Sequence, residues 1–485
     1  MGAHGNLRSI NQAVRAALWI FPFLALLLSW RCDALARPES VHLVILHVND
    51  THGHLYPHDY RGQWNVGGAA RMATLISGIR KDHPGETLVL HAGDVFSRGG
   101  PLTVYSGGLA DMLALDAMGV DVMIPGNGEF YTGVDNLLHH AAAVSFPVVL
   151  ANVFFKESGE RLFPPSVILD VGGIKVGVLG LGFFYDNHPA SWHLKAERPE
   201  IEAPKHLPDL LGRVDLVVAL THLGQEVDRQ LAAEVEGIDI IVGAHSHDYL
   251  ETPVTLAGPG GKEVIYVQAG IFGTHVGRLD LYLTAASDGS YVLERSEGRL
   301  CPVTAELADD PEVAELLKKQ AEPLKEVLCI SKISLDFPSE GPNPMGDFIA
   351  DAMLTNFPAD AALFYRDAVH SGILPGPVTV EDVCRIHRWR SRIVRMSLTG
   401  ERLVQVVADP KILASGLSFE RSDGTVMDLC VGGEAVDLKR VYDIVADEAL
   451  VMNSEPLQGI DYKETGERVD SMLIQHLREI RFLEK

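Results

Sequence analysis

Positive charge is in short supply: 41 Lys and Arg stand against 65 Asp and Glu, a formal net charge of −24 at pH 7. A polynucleotide binder needs a basic face to displace counterions from phosphates, so the composition argues against a nucleic acid polymer as partner. A small anionic substrate would have to be drawn in by local positive charge, such as metal ions, against the average field. Cysteine is scarce, at 5 of 485 residues. Setting aside Cys32 near the N-terminus, Cys301, Cys329, Cys384 and Cys430 remain. That even number allows two disulfides in three pairings, or four free thiols. Past residue 36 no stretch is long and apolar enough to span a bilayer, and no repeat or low-complexity tract interrupts the chain.

The N-terminus reads as an export signal. Arg8 and Arg15 precede an uncharged run over 16–30, and Ala34-Leu35-Ala36 offers a small-x-small cleavage site. Residues 1–36 would be removed, leaving a periplasmic or secreted protein without a membrane span; an uncleaved anchor is the alternative.

A chain of this length exceeds one compact domain. Short runs rich in Val, Ile and Leu lie at 43–48, 88–91, 122–124, 148–151, 176–181, 216–220 and 238–242, with helical patterns between them. Runs without polar alternation suit strands buried on both faces, as in helix-covered sheets. The charged, glycine-poor stretch from 305 to 329 reads as a linker helix between a first domain, 37–304, and a smaller mixed domain, 330–485. In the latter, 394–398 and 441–445 read as strands and 345–355 as a helix.

Metal-ligand chemistry clusters where the first-domain strands stop. Asp50 and His52 follow the first, two residues apart, which in extended backbone would place both side chains on one face. Asp94 follows the second, Asn127 the third, His222 the strand at 216–220, and His245 and His247 the strand at 238–242. The carboxyl ends of such strands form a ligand-binding edge. Two Asp, one Asn and four His converging there suit two divalent ions such as Zn, Mn or Fe. His47 and His91 read as buried strand or supporting residues.

These stretches resemble the metallophosphoesterases of the 5'-nucleotidase, UDP-sugar hydrolase and 2',3'-cyclic phosphodiesterase family. The likeness lies in 45–53, Gly67-Gly68-Ala69-Ala70-Arg71, 91–94, Gly126-Asn127, 221–224 and 238–247, and more loosely in 343–353 and 397–400. It implies a two-domain α/β (α+β) fold: an N-terminal calcineurin-like metallophosphoesterase β-sandwich flanked by helices, and a smaller C-terminal α+β domain of 5'-nucleotidase type. It further implies one metal on Asp50, His52 and His247, another on Asn127, His222 and His245, and Asp94 bridging. Two ions would acidify a shared water to hydroxide and neutralise the group under attack, hydrolysing phosphate esters or anhydrides.

Departures from the family pattern are equally visible. Where the family has Gly-Asn-His-Glu-Phe-Asp, with a catalytic His-Asp pair, this chain reads Gly126-Asn127-Gly128-Glu129-Phe130-Tyr131. Gly128 and Tyr131 in those places put activity in doubt, with His54 or His58, or else His139 or His140, as substitutes. The substrate-binding motifs are rewritten too, leaving Arg366, His370 and Trp389 as candidate substrate residues and Arg388, Arg390 and Arg392 as further cations. The substrate is therefore expected not to be a standard nucleoside monophosphate. Thiosulfohydrolase-like cleavage of a sulfur-linked sulfonate and metal binding without turnover are the alternatives.

Overall fold

The computed structural model describes residues 39–484 except Arg98, Asn187, Asp423 and Gly424, so the expected export signal at 1–36 lies outside the described residues. Two large sheets organise the first domain, beside two small two-stranded ones. One has the order Tyr291–Pro302, His275–Ala285, Ser40–Val48, Thr87–His91, Val122–Met123, with the last three parallel. The other has the order Val254–Ala257, Glu263–Val267, Ile240–Val242, Leu216–His222, Ile174–Gly182, Ser166–Val171, parallel through its four central strands.

Coverage on both faces explains why the central strands, such as Leu216–His222, are aliphatic along most of their length. Val218 and Leu220 join the core that also takes in Val44 and Leu46 of the first sheet, whereas Val217 and Ala219 pack with Ala203, Leu207 and Leu210 of the helix Pro199–Leu211. Both faces of the strand are thus covered, each buried aliphatic contributing about 1.5–3 kcal/mol. On the first sheet's side, the helix Ala69–Asp82 buries Ala69, Met72, Ala73, Ile76 and Ile79, the spacing of one helical face. The run at 148–151 forms only an isolated bridge, Val148 to Met123, rather than the expected strand.

The connecting segment differs from its sequence reading. Its helix covers only Pro311–Ala321, started by Asp310, whose side chain accepts from the Glu312 and Val313 amides. A 3-10 turn, Glu322–Lys325, follows, and Val327–Ser331 is already a strand paired with Gly376–Thr379. Pro323 and the apolar Val327, Leu328 and Ile330 explain the early end. The second domain is organised on a five-stranded sheet, Ile412–Ser415, Ala361–Tyr365, Val441–Asp447, Arg392–Thr399, Tyr462–Arg468, flanked by the helix Pro344–Asn356. Among the described residues no helix is long and apolar enough to cross a membrane, and the four cysteines are free thiols.

Candidate metal centre and the interdomain cleft

The carboxyl ends of both sheets meet at one point. Asp50, His52, Asp94 and Asn127 arrive from the first sheet, and His222, His245 and His247 from the second. The expected extended geometry of Asp50 and His52 does not hold. Their strand stops at Val48, and both adopt left-handed backbone, at φ 51° and 47°. Asp94 (52°), His245 (75°) and His247 (60°) do the same. Such a conformation costs of order 1–3 kcal/mol per residue and persists only where surroundings dictate it. Here the amides of Asp50, His52 and Gly53 donate to the carbonyls of Gly93, Asp94 and Val95, and the Phe272 amide donates to that of Asp50. Loop pairing, not strand alternation, gathers the donors.

Two groups result. The ligand atoms of Asp50, His52 and His247 lie within 4.8 Å of one another, and so do those of Asp94, His222 and His245. Asp94 faces both: its Oδ1 is 3.5 Å from His222 Nε2 and its Oδ2 is 3.7 Å from His52 Nε2. The remaining atoms of these side chains are already committed. Asp50 Oδ2 accepts from Asn49 Nδ2 at 2.7 Å and the His245 amide at 3.0 Å. His222 Nδ1 donates to the Ala92 carbonyl at 2.7 Å, and Asn127 Nδ2 donates to Tyr131 Oη at 3.0 Å. That leaves Asp50 Oδ1, Asn127 Oδ1 and His222 Nε2 buried without a hydrogen-bond partner. Buried acceptors left unpaired are costly, and cations would satisfy them. The donor set therefore fits a dinuclear site for divalent metals.

Electrostatics agree. Burial alone would raise the Asp94 carboxyl, yet His222 and His52 hold it well below the usual carboxylate range. Asp50 is lowered likewise, against burial, by His247 and His222. Burial pulls the His222 imidazole down, but Asp94 and Asp50 overcome it and push its pKa up to about 10. The Asp94 and Asp50 charges that draw a proton onto His222 would hold a divalent cation in its place, leaving the imidazole neutral and its Nε2 free to act as a ligand.

Several supporting residues are not apparent in the sequence. Ser97 Oγ is hydrogen-bonded to His52 Nδ1 at 2.8 Å, aiming Nε2 inward. Buried Glu129 accepts from the amides of Asp94 (2.8 Å), Val95 (2.8 Å) and Gly126 (2.6 Å), tying the Asp94 and Asn127 loops together. Burial and the Asp94 charge push its carboxyl up to about 8. Its position three residues after Gly126, as in a capping box, is the available signal; Asn49 and Ser97 carry none. His91 is buried, meeting Thr51 Oγ1 at 3.3 Å, and His47 is buried against Gly277.

The doubt attached to Gly128 and Tyr131 is corrected. Both His/Asp clusters are intact, which argues against an inactivated centre. Position 128 has no room for a side chain, since a Cβ there would fall 2.2 Å from Ser97 Oγ, and its amide donates to Asp94 Oδ1 at 2.6 Å. Tyr131 receives the Asn127 amide and leaves Asn127 Oδ1 unpaired. Both residues serve the clusters as they stand. His54 stacks on Phe272 at 3.9 Å, and its Nδ1 donates to the Thr51 and His52 carbonyls; neither His54 nor His58 lines the cleft. His139 and His140 sit on the helix Val134–Ala142, His140 buried against Phe96. A third grouping, His42, His83 and Asp280, is already occupied by a cation, because Arg278 donates to both Asp280 oxygens at 2.7 Å.

A cleft of about 640 Å³ lies between the domains, with Ser97, Gly128 and Tyr131 at the metal end. His370, Arg388, Trp389, Arg390 and Arg392 line it from the second domain. Arg366, expected there, is turned away: its guanidinium donates to the carbonyls of Pro338 (3.0 Å) and Gly341 (2.8 Å) and holds that loop.

Comparison with known proteins matches residues 43–249 to the calcineurin-like phosphoesterase family and residues 326–455 to the C-terminal domain of 5'-nucleotidases. The chain is 26% identical over 479 residues to a 5'-nucleotidase of Vibrio cholerae, covering 85% of this chain and 84% of that protein. It is 30% identical over 361 residues to a 5'-nucleotidase of Bos taurus, covering 66% and 61% respectively. The crystal structure of a 5'-nucleotidase precursor from Thermus thermophilus superposes with a TM-score of 0.59 at 26% identity, covering 91% of this chain and 97% of that one.

Proposed function

Starting from a metal-binding hydrolase of the 5'-nucleotidase and calcineurin-like superfamily, with its phosphoesterase domain at 43–249 and its 5'-nucleotidase C-terminal domain at 326–455, we propose that this chain hydrolyses phosphate esters or anhydrides of small anionic substrates. The N-terminal sequence supports action outside the cytoplasm, in the periplasm or as a secreted protein. One observation carries the reading: two three-donor clusters, Asp50–His52–His247 and Asp94–His222–His245, adjoin through Asp94, whose other oxygen faces His52. Asp50, His52 and His247 would hold one divalent ion, Asn127, His222 and His245 the other, with Asp94 shared. When bound, such a pair supplies Lewis acidity to a phosphoryl group and acidifies water.

The chain's own residues do the rest. Ser97, Asn49 and Tyr131 orient His52, Asp50 and Asn127, and Glu129 fixes the loops that carry Asp94 and Asn127. The second domain closes the cleft and supplies cations that orient an anionic substrate. The test is turnover of bis(p-nitrophenyl) phosphate, a phosphomonoester and a diphosphate by protein reconstituted with Mn or Zn, alongside elemental analysis. Two metals per chain and turnover lost at least about 10³-fold in Asp94→Ala are expected. Bound metal with no turnover of any substrate would overturn the reading.

A further inference from the structure

Two histidines line the cleft: His370 from the second domain, with its Nδ1 on the Ala368 carbonyl, and His188 from the first. His188 lies in the loop that leaves the strand Ile174–Gly182, whose last residue is paired with His222. From there a run of rings leads along the metal centre into the cleft. Phe183 meets His245 edge-on at 4.6 Å, and Tyr185 meets Phe183 at 5.5 Å. Tyr131, whose hydroxyl receives the Asn127 amide, lies 6.4 Å from Tyr185 and 4.8 Å from His188, ring to ring. The His188 imidazole is thus one side chain removed from a metal donor, and it borders the cleft.

The ring is held in place, and one of its nitrogens is unused. The His188 amide donates to the Tyr185 carbonyl at 3.1 Å, and buried Ser191 shares its Oγ–H between the Tyr185 and His188 carbonyls, both at 3.0 Å. The Ala190 amide donates to His188 Nδ1 at 3.2 Å, so Nδ1 carries no proton and the neutral ring holds its single proton on Nε2. Burial and the Arg392 charge lower the His188 pKa to about 4, which keeps the ring neutral near pH 7. Arg392 is itself paired with Glu464 and Glu448. His188 Nε2 has no hydrogen-bond partner among the described residues and, unlike Asp50 Oδ1 or Asn127 Oδ1, is not sealed from solvent. A fixed N–H that opens on the cleft needs no reorganisation to meet a developing negative charge.

We propose that His188 is a catalytic residue of the hydrolysis, its Nε2–H donating a hydrogen bond to the oxygen that leaves phosphorus. The proposal rests on the hydrolase reading above and adds a residue to it. Water adds to phosphorus, the bond from phosphorus to the leaving oxygen breaks, and that oxygen keeps the electron pair. The Nε2–H shares the resulting charge, solvent supplies the proton that completes the alcohol, and His188 keeps its own. Such a donor contributes most where the leaving oxygen is most basic.

The test uses the full metal-loaded chain with phenyl phosphate and 4-nitrophenyl phosphate, whose leaving oxygens differ in basicity. His188→Ala should lower kcat about 100-fold for phenyl phosphate and less than about 10-fold for 4-nitrophenyl phosphate, with KM within about 3-fold. His188→Gln, which offers a neutral N–H at similar reach, should recover at least about 10-fold of the loss on phenyl phosphate. Equal losses for both esters in His188→Ala, or no recovery in His188→Gln, would overturn the proposal. Loss of metal from His188→Gln, by elemental analysis, would overturn it too, because the residue would then only support the centre. Should a melting curve show His188→Ala misfolded, His188→Phe takes its place with the same criteria. If neither ester is turned over, calorimetry decides with phenyl phosphate and benzylphosphonate, which has a methylene in place of the bridging oxygen. About 3-fold or more tighter binding of phenyl phosphate, erased by His188→Ala, supports the contact; equal affinities sink it. The hydrolase reading falls separately, when none of its own three substrates reacts.

Discussion

The metal centre of the first domain and the arginine-bearing segment of the second are assembled differently. At the metal end, short side chains sit on loops locked by backbone pairing, with five of the donors in left-handed conformations. In that segment, Arg388 and Arg390 from the loop before the strand Arg392–Thr399, and Arg392 from its first position, reach across to Gly99, Gly107 and Gly133 of the first domain. The first arrangement fixes the donors by backbone pairing between the loops. The second depends on two domains staying together, so the centre should respond to local change and the arginine segment to anything that loosens the interface.

The comparison can be broken most strongly through the metals. Loading the chain with Mn or Zn at about 1,000 times the dissociation constant should stabilise the first domain by about 4 kcal/mol, and EDTA should remove that gain. A melt that does not shift with metal would mean that the clusters bind none.

Gly128→Ala comes next. Its Cβ would press on Ser97 Oγ and disturb the Ser97–His52 hydrogen bond. The expected cost is about 1–3 kcal/mol in stability and about 10–100-fold in metal affinity, read by denaturant unfolding and metal titration. Unchanged metal affinity would separate Ser97 from the centre.

Acid should affect the arginine segment through His387. This side chain is fully buried, and burial lowers its pKa to about 4. Its Nδ1 donates to the Ala368 carbonyl and its Nε2 accepts from the Ser391 amide, inside the arginine loop. The unfolded chain takes up the proton near pH 6.5, and the folded one only near pH 4. Stability is therefore fully present above about pH 6.5 and falls as pH drops toward 4, by at most about 1.4 kcal/mol per unit from this residue. Urea midpoints at pH 7 and 5.5 should show the loss, and His387→Gln should flatten it.

The smallest effect is expected at the junction. Asp310→Ala removes the acceptor for the Glu312 and Val313 amides at the start of the helix Pro311–Ala321. About 1 kcal/mol of stability should go, by thermal melt, with little change in metal affinity.

Much of this is legible in the amino-acid pattern alone. The strands at Ser40–Val48, Thr87–His91, Leu216–His222 and Ile240–Val242 stand out because both faces are buried, which leaves uninterrupted aliphatic runs. The long hairpin of His275–Ala285 and Tyr291–Pro302 does not, since its second strand is largely polar and half-exposed. Seven donor residues are conspicuous because each follows a strand end. Their support is not: Ser97, Asn49 and Glu129 are ordinary polar residues whose role arises only from what lies beside them. Arg366 misleads for the complementary reason, because charge is visible in a sequence and direction is not.

The sequence by itself determined the two-domain α/β order, the acidic surface and the metal-donor chemistry, since residue type and periodicity set burial and ligand preference. Tertiary structure alone decided that donors from two separate sheets meet at Asp94, that position 128 has no space for a side chain, and that Arg388, Arg390 and Arg392 rest on distant glycines. Those facts depend on distances between residues far apart in the chain, which packing sets and local pattern does not encode.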